Sequence, residues 1–404
     1  STPIRRRPEL NTPTMIAPIS GPMIEPRPPN SDVPPMTAAA MAFLTVKDPT
    51  TVKLIRSVMI DLGYRAQRFA YRTAKRLGLI QAQTQQPPAT RGKAPVRAQV
   101  IHFINKPMPG NLPKRTARQL LDIEDDKIIP VIRNPRVPAD ESEAVFYFPG
   151  CGSERLFSQV GLATQAMLYH VGATCVLPPG YLCCGYPQTA AGFEAQGQKI
   201  ITDNRVLFHR VANTLNYLDI KTVIVSCGTC MDQLLKYQFE QIFPGCRLLD
   251  IHEYLMEKGV QLEGVSGVRY MYHDPCHTPM KTHQPLKVAQ TLMGTEVKLS
   301  ERCCGESGTL AVSRPDVSTQ VRFRKQEELE KDAALIRKDQ PNVPIKVLTS
   351  CPSCLQGLAR YADDAGGLDA DYIVVEIAKH VLGENWLVEY VEKVRAGGVE
   401  RVLL

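Results

Sequence analysis

The sequence predicts an α/β fold of two tandem, pseudo-symmetric domains with largely parallel sheets. A five-cysteine pattern, C…CCG…CxxC, occurs twice, and the offsets between the copies are 125, 120 and 124 residues. Short apolar runs alternate with helical patterns through both copies, as in layered α/β proteins. Each cysteine motif follows a predicted strand, so the motifs are expected to meet at the carboxyl edge of a sheet.

The first 150 residues differ from the rest in composition and charge. They contain no cysteine and carry 22 lysines and arginines against 12 acidic residues. Ten prolines within residues 1–40 predict a disordered leader over residues 1–50, because such a segment buries too little apolar surface to fold. A chain that starts at Ser1 rather than Met is expected to be a processed product or a piece of a longer protein.

Residues 51–142 are predicted to form a basic helical and linker region. Basic residues accompany an apolar stripe at helical spacing over residues 51–79. The stripe consists of Ile55, Met59, Leu62, Ala66 and Phe69. Such a helix could contact an anionic membrane surface or a partner, although a helix packed on its own protein is the favoured interpretation. Residues 100–104 suggest a strand, and residues 114–121 suggest a short helix.

The first domain is predicted over residues 143–265. Its expected strands cover residues 144–148, 174–177, 222–225 and 247–251. Its expected helices cover residues 153–171, 193–218, 230–243 and 253–258. Ser153 is expected to cap the first of these helices, and Gly172 is expected to end it.

The second domain is predicted over residues 266–404 and repeats this order. Its expected strands cover residues 268–272, 297–299, 345–348 and 372–375. Its expected helices cover residues 285–293 and 317–338, with a short helix that ends at Gly383. Gly383 lies 124 residues after Gly259, which ends the corresponding helix of the first copy. The repeat therefore extends beyond its cysteines.

Ten of the twelve cysteines form two candidate cofactor- and metal-binding groups. The first group is Cys151, Cys183, Cys184, Cys227 and Cys230, and the second group is Cys276, Cys303, Cys304, Cys351 and Cys354. No export signal is recognisable, so a reducing cytoplasm is expected, where clustered thiols indicate metal ligands. The two remaining cysteines, Cys175 and Cys246, are expected to be small buried hydrophobic residues.

Three kinds of site could use these thiols. A structural zinc ion takes four ligands and would leave one cysteine unused in each copy. A cubane iron–sulfur cluster also needs four, whereas the adjacent cysteines of each CCG triplet could reach two atoms of a larger cluster. The odd number of thiols in each copy argues against a closed set of disulfides. Iron–sulfur clusters are the favoured interpretation, and zinc remains the alternative.

Other chemistry has little support in the sequence. No GxGxxG, GxxxxGK[ST] or HExxH motif occurs, and no catalytic residue is assigned. His273 and His277 flank Cys276 and could contact a cluster, but satisfied loop histidines are the favoured interpretation. Ser307, beside Glu306, could hydrogen-bond a cluster sulfur.

With these motifs, residues 144–384 resemble the tandem CCG (cysteine-rich) domain iron–sulfur proteins. That family includes the B subunit of heterodisulfide reductase and the iron–sulfur subunits of glycolate oxidase and D-lactate dehydrogenase systems. The resemblance implies that each five-cysteine group ligates a [4Fe–4S] cluster, non-cubane in the best-understood members, with zinc in one site as an alternative. Residues 107–135 are similar to the lead-in of fused FAD-linked oxidases, so the chain could be the C-terminal part of such a fusion.

The resemblance implies an iron–sulfur electron-transfer subunit, or a fragment of one, of an FAD-linked 2-hydroxyacid dehydrogenase of the D-lactate or glycolate type. The implied partners are a flavoprotein dehydrogenase, a ferredoxin-like module and an acceptor such as a quinone, without nucleic acid. The alternatives are a catalytic subunit that reduces a disulfide or quinone, as in heterodisulfide reductase, and a zinc-stabilised structural module. The expected location is the cytoplasm; the alternative, in which residues 51–79 contact a membrane, would place the protein at the inner face of that membrane.

Overall fold

Two β-sheets organise the part of the chain that the computed structural model describes, residues 45–80, 96–110, 112–306 and 310–404. The strands in these ranges are β1 Ile128–Ile132, β2 Ala144–Phe148, β3 Thr174–Val176, β4 Thr222–Val225, β5 Arg247–Asp250, β6 Arg269–His273, β7 Val297–Ser300, β8 Ile345–Thr349, β9 Asp369–Tyr372 and β10 Val399–Leu403. One sheet has the order β10–β1–β3–β2–β4–β5, and the other has the order β7–β6–β8–β9. The predicted α/β class is confirmed. Most of the predicted leader lies outside the described residues, as does Ser307.

The parallel part of each sheet has the same strand order, as a duplicated fold requires. Strands β3, β2, β4 and β5 are parallel neighbours in the first domain. Strands β7, β6, β8 and β9 repeat that order in the second domain. The central strands β2 and β4 are buried along their whole length, because helices cover both faces of a parallel sheet.

Two antiparallel strands, which the sequence patterns do not reveal, extend the first sheet. Strand β1 lies between β3 and β10, with Ile132 opposite Cys175 on one side and Val399 on the other. Pro130 interrupts the strand signal of β1, since proline cannot donate to a ladder; its carbonyl still accepts the backbone N–H of Leu177 at 2.9 Å. The C-terminal strand β10 thus joins the sheet of the first domain, across the predicted domain limits.

Helices fill the connections between the strands. The described α-helices are Pro49–Leu54, Gly63–Arg76, Val96–Ile104, Ala117–Leu121, Ser158–His170, Tyr186–Ala190, Glu194–Thr214, Gly228–Leu234, Ile251–Glu257, Pro285–Met293, Leu310–Ser313, Pro315–Asp339, Pro352–Leu358, Ile373–Leu382 and Trp386–Lys393. Wider π-helical turns cover Ile55–Leu62, Gly152–Leu156 and Val394–Gly398, and 3₁₀ turns cover Leu235–Tyr237, Phe239–Gln241 and Ala359–Tyr361. Within the described ranges, no helix has both the length and the apolar character that crossing a bilayer requires.

Two predicted strands differ in the structure. Residues 100–104 belong to a helix, Val96–Ile104, because a short apolar run does not by itself distinguish the two conformations. The strand expected over residues 372–375 ends at Tyr372, where the helix Ile373–Leu382 begins.

The predicted helix cap at Ser153 is wrong. The helix of that region begins at Ser158, after the π-helical turn Gly152–Leu156. The Ser153 hydroxyl instead donates to the backbone carbonyl of Ser226 at 3.1 Å. The side chain therefore ties the loop after β2 to the loop after β4.

The helix Gly63–Arg76 packs on its own protein, as favoured, but through polar side chains. The Tyr64 hydroxyl donates to the Gln356 amide oxygen at 3.1 Å, and the Tyr71 hydroxyl donates to Asp363 at 2.7 Å. The predicted apolar stripe lies on other faces: Leu62, Ala66 and Phe69 are exposed, Ile55 is half-buried, and the side chain of Met59 lies outside the described ones. The exposed stripe remains available for a partner.

The two domains share a continuous hydrophobic core. Tyr254 and Leu255 of the first domain pack in one cluster with Ile373 and Ile377 of the second domain. The Tyr372 hydroxyl, at the end of β9, donates to the backbone carbonyl of Ser226 at 2.7 Å. The loops that follow the parallel strands of both domains therefore face each other across this interface.

Candidate metal centre

The cysteine motifs lie in loops that leave the carboxyl ends of parallel strands. Cys151 and Cys227 follow the central strands β2 and β4, and Cys276 and Cys351 follow the corresponding β6 and β8. The CCG triplets follow the neighbouring strands β3 and β7 at a greater distance along the chain. All twelve cysteines are free thiols.

The first five-cysteine group forms a chain of thiol contacts. Cys183 hydrogen-bonds Cys151 and Cys184, and Cys184 in turn contacts Cys230. Cys230 also contacts Cys227, its partner in the CxxC motif. All five side chains are buried, with exposures of 1–8%. The structure thus places the five predicted residues together, in an environment shielded from water.

A glycine lets this group close. A Cβ atom at Gly150 would lie 2.6 Å from the sulfur of Cys230, and Gly150 has a φ of +64°. Both facts exclude a larger residue, because such a contact is too short and a positive φ strains residues other than glycine. The loop after β2 can therefore approach the CxxC loop.

The second five-cysteine group has the same connectivity and a more open edge. The sulfurs of Cys276 and Cys303 are 3.4 Å apart, and those of Cys304 and Cys354 are 3.3 Å apart. Cys304 also contacts Cys303, and Cys354 contacts Cys351. Cys276 is exposed and Cys303 is half-buried, whereas the other three are buried. This group therefore has an edge that solvent or another molecule can reach.

The two groups meet directly. Cys227 and Cys351, the first cysteines of the two CxxC motifs, hydrogen-bond each other across the domain interface. The adjoining residues are tightly packed: a Cβ at Gly228 would overlap the carbonyl oxygen of His277, and a Cβ at Gly152 would lie 3.0 Å from Pro352. The ten thiols therefore form one continuous array with a junction between domains.

Hydrogen bonds within the array favour the thiolate form at three positions. Bonds from Cys183 and Cys230 lower the pKa of Cys184 to about 6. Bonds from Cys276 and Cys304 lower the pKa of Cys303, and bonds from Cys227 and Cys354 lower that of Cys351. The pKa values of the other seven cysteines are raised. For five of them the main cause is a hydrogen bond with a neighbouring thiol: Cys151, Cys230, Cys276, Cys304 and Cys354. Metal binding selects thiolates, so the array offers the soft sulfur donors that iron and zinc take in proteins.

The surroundings repeat as well as the cysteines. Tyr147 hydrogen-bonds Ser226 at 2.7 Å in the first domain, and Tyr272 hydrogen-bonds Ser350 at 3.1 Å in the second domain. Each serine directly precedes a CxxC motif, and each tyrosine lies four residues before the first cysteine of its copy. In each domain, this hydrogen bond therefore links the strand before the first cysteine to the residue before the CxxC motif.

The CCG triplets are anchored from the long helices. In the first domain, Asn204 donates to the carbonyl of Cys183 at 2.8 Å. In the second domain, Ser318 donates to the carbonyl of Gly305 at 2.7 Å. Gly305 also donates its N–H to the sulfur of Cys303 at 3.4 Å. The triplets are thus fixed through their backbone, which leaves the thiols free for ligation.

The two histidines near Cys276 have different environments. His277 contacts Asp232 through Nδ1 and Tyr186 through Nε2, the latter at 2.8 Å, so it is a satisfied loop histidine as expected. His273, by contrast, is a fully buried residue of β6. Neither of its ring nitrogens has a hydrogen-bond partner among the described residues, so the expectation of a satisfied loop histidine is wrong for His273.

His273 lies against the second five-cysteine group. One of its ring nitrogens and the sulfurs of Cys304 and Cys354 lie within 4.8 Å of one another. Burial, with the charge of Lys325, lowers the pKa of His273 to about 3, which keeps the imidazole neutral. Alignment of the two copies could have drawn attention to this residue, because Phe148 stands at the matching position, three residues before the first cysteine.

The other two cysteines lie outside the array of thiol contacts. Cys175 is buried in the core on β3, as predicted, whereas Cys246 is half-buried before β5. Burial raises the pKa of both thiols, that of Cys246 to about 11. Among the described residues, no thiol contact joins either of them to the two five-cysteine groups.

Comparisons with known proteins agree with the duplicated array. A family model described as a cysteine-rich domain, CCG, matches residues 145–235 and again residues 270–359. A second model, described as a domain of unknown function, matches residues 359–404. Both copies of the cysteine-rich match include the five cysteines of their group.

Three relatives carry names that bear on the chemistry. An uncharacterized iron–sulfur protein of Methanococcus maripaludis is 24% identical over 277 residues, 66% of this chain and 50% of that protein. The B subunit of the fumarate reductase (CoM/CoB) of Methanothermobacter marburgensis is 27% identical over 216 residues, covering 52% and 40%. A probable glycolate oxidase iron–sulfur subunit of Bacillus subtilis is 25% identical over 232 residues, covering 52% and 48%. The chain thus spans half or less of the length of these relatives.

Proposed function

We propose, from the premise that this chain belongs to the tandem CCG cysteine-rich proteins, that it is an iron–sulfur electron-transfer subunit or a fragment of one. The enzyme it serves would be an FAD-linked 2-hydroxyacid dehydrogenase of the D-lactate or glycolate type, with a quinone or another carrier as acceptor. The glycolate oxidase relative supports this class of substrate. The continuous array of ten thiols, joined through Cys227 and Cys351, is the observation that carries the proposal.

The donor set fits iron–sulfur clusters. The proposed ligands of one cluster are Cys151, Cys183, Cys184, Cys227 and Cys230, and those of the other are Cys276, Cys303, Cys304, Cys351 and Cys354. Five thiols converge in each group, one more than a tetrahedral zinc site uses. A bound cluster supplies one-electron transfer at a potential set by its charge, its hydrogen bonds and its exposure to solvent.

The chain itself supplies burial and hydrogen bonds to the thiolates. In the first group, the Thr229 hydroxyl lies 3.2 Å from the sulfur of Cys227. In the second group, the N–H of Gly305 points to Cys303. Such donors stabilise negative charge on sulfur and thereby favour the reduced state. Direct contact between the two groups keeps the distance that an electron must cross short.

The cofactor is tested by analysis of anaerobically purified protein for iron, acid-labile sulfide and zinc. We expect a brown protein with about four irons per five-cysteine group. A colourless protein that contains zinc but no iron would overturn the proposal and leave the zinc-stabilised module. The relay is tested by adding the reduced flavoprotein partner, after which the visible absorbance of the clusters should bleach.

A second candidate function is catalysis at the second group, as in a heterodisulfide-reductase-like subunit. The exposed Cys276 and half-buried Cys303 favour it, because they leave an edge that a small substrate can approach. The relative from the CoM/CoB fumarate reductase is consistent with this hypothesis. Disulfides and quinones offered to the reduced protein alone decide between the two: turnover without a flavoprotein supports catalysis, and inertness supports the relay.

The proposed partners are a flavoprotein dehydrogenase, a ferredoxin-like module and an anionic membrane surface. The exposed stripe of residues 51–79 supports the membrane contact. Large apolar side chains exposed in this segment include Leu62 and Phe69 of the stripe and the neighbouring Leu54 and Val58, with exposures of 48–73%. Exposed Arg65, Arg72 and Arg76 of the helix Gly63–Arg76 would attract acidic lipid headgroups, as basic amphipathic helices do. This contact would place the protein at the inner face of the membrane.

Vesicle sedimentation tests the membrane contact. We expect co-sedimentation with vesicles that contain anionic lipid and reduced co-sedimentation of Phe69→Ser. Leu335→Ser is the matched control, because Leu335 is 49% exposed elsewhere on the surface. Equal sedimentation of both variants and the unaltered protein would overturn the contact.

A further inference from the structure

His273 combines complete burial with ring nitrogens that lack protein partners. It is the last residue of β6, with Ser300 opposite it on β7 and Thr349 opposite it on β8. Neither neighbour nor any other described residue hydrogen-bonds its ring nitrogens. Buried polar groups are nearly always hydrogen-bonded in folded proteins, because an unsatisfied group loses its hydration without compensation. The ring nitrogens of His273 are therefore available to a group bound at this site.

The thiols close to the His273 ring indicate what such a group is. A ring nitrogen lies within 4.8 Å of the sulfurs of Cys304 and Cys354, two buried members of the second five-cysteine group. A neutral imidazole carries one N–H donor, and the sulfurs of an iron–sulfur cluster are acceptors for such donors.

We propose that His273 donates its ring N–H to a sulfur of the cluster held by the second five-cysteine group. This inference rests on the proposed function, since it requires that a cluster is bound there. His273 would contact the sulfur without being an iron ligand, because the five thiolates already supply the ligand set. The donated hydrogen bond stabilises the more negative, reduced state of the cluster and so raises its midpoint potential.

The first five-cysteine group lacks this contact. At the matching position, Phe148 is fully buried, and its ring packs against Phe208 with centroids 6.0 Å apart. A phenyl ring has no N–H to donate. The two clusters are therefore chemically inequivalent despite their identical cysteine patterns, and the hydrogen bond makes the second one easier to reduce.

The test is an EPR-monitored redox titration of the full chain and three variants. His273→Phe installs the residue that the first domain uses, His273→Gln retains an N–H donor, and Phe148→His transfers the donor to the first group. We expect the midpoint potential of the second cluster to fall in His273→Phe and to recover in part in His273→Gln. We expect the potential of the first cluster to rise in Phe148→His.

Pulsed EPR on protein with ¹⁵N-labelled histidine gives an independent readout. A weak nitrogen coupling to the second cluster that disappears in His273→Phe supports the hydrogen bond. A strong coupling would mean iron ligation by the imidazole, and no coupling would mean no contact; either result overturns the proposal. Should His273→Phe fail to fold, Phe148→His and the labelled protein still decide.

Iron and sulfide analysis of the same samples separates this inference from the proposed function. Protein without iron contradicts the proposed function itself. Protein with full iron content, but with potentials that are the same in all four forms, contradicts only the role of His273.

Discussion

Gly228 is predicted to be needed for full stability, because it allows the two CxxC regions to touch. A Cβ atom at this position would overlap the carbonyl oxygen of His277 and lie 2.8 Å from its carbonyl carbon, inside the 3.4–4 Å of ordinary van der Waals contact. The obstacle is backbone, so no side-chain rotation relieves it. The loop after β6 would have to move away from the junction of the two thiol groups.

The expected cost of Gly228→Ala follows from two opposing effects. Overpacking of a rigid site lowers the free energy of unfolding by about 3 kcal/mol. Replacing a helical glycine by alanine raises the free energy of unfolding by up to about 1 kcal/mol. The net loss is therefore about 2 kcal/mol, or roughly a thirty-fold change in the ratio of folded to unfolded protein. Because the strain falls beside Cys227 and Cys276, iron should also be lost from the variant before the fold is.

Anaerobic urea unfolding, followed by far-ultraviolet circular dichroism and by visible absorbance, measures both effects. Gly63→Ala is the matched control: it also lies in a helix, but nothing lies within 4 Å of its added Cβ. That variant should unfold at the same urea concentration as the unaltered protein or at a higher one. A Gly228→Ala protein with an unchanged midpoint and full absorbance would refute the close approach of the domains.

Further predictions concern single contacts of the array and the helical region. Cys184→Ser should lose the iron of the first group and keep that of the second, as measured by iron per chain and EPR; loss from both would contradict independent ligation. Glu328→Ala should lower the stability by about 3 kcal/mol and release iron from the second group, because this carboxylate binds buried Lys325 and the N–H of Glu301 before Cys303. Tyr71→Phe should increase hydrogen exchange in the helix Gly63–Arg76 about fivefold, the effect of losing about 1 kcal/mol, with Tyr217→Phe, an exposed tyrosine elsewhere, as an unaffected control. Hydrogen bonds from Lys75 and Tyr71 lower the pKa of Asp363. The contact should therefore be fully formed at pH values above the usual pKa range of carboxyl groups, and it should weaken as the pH falls through the lowered pKa of Asp363.

The repeat, the largely parallel sheets and the meeting of the cysteine motifs could be predicted from the sequence. The strands that end at Phe148 and Val225 are marked by β-rich runs followed directly by turn residues, so their limits agree with the structure. Parallel strands with crossover helices leave little freedom in where the following loops go. The position of the thiols therefore follows from the topology, which can be predicted from short-range sequence patterns.

Features set by tertiary contact could not be predicted in this way. Cys151 and Cys276 occupy the same place in the two copies, yet one is buried and the other exposed, because exposure depends on what packs over the loop. The helix Gly63–Arg76 buries its polar face because Gln356 and Asp363 supply distant partners. Strand β10 joins a sheet that begins more than 200 residues earlier, and no local signal records such a pairing.

The junction shows why the two copies stay together on one chain. Each CxxC region is covered by the loop of the other domain that follows its first cysteine: Gly228 packs on His277, and Pro352 packs on Gly152. Exchanging the two domains converts one contact into the other, so the interface has approximate two-fold symmetry. Neither five-thiol group is enclosed by its own domain alone. The two copies nevertheless differ at matching positions beside the cysteines, as at His273 and Phe148.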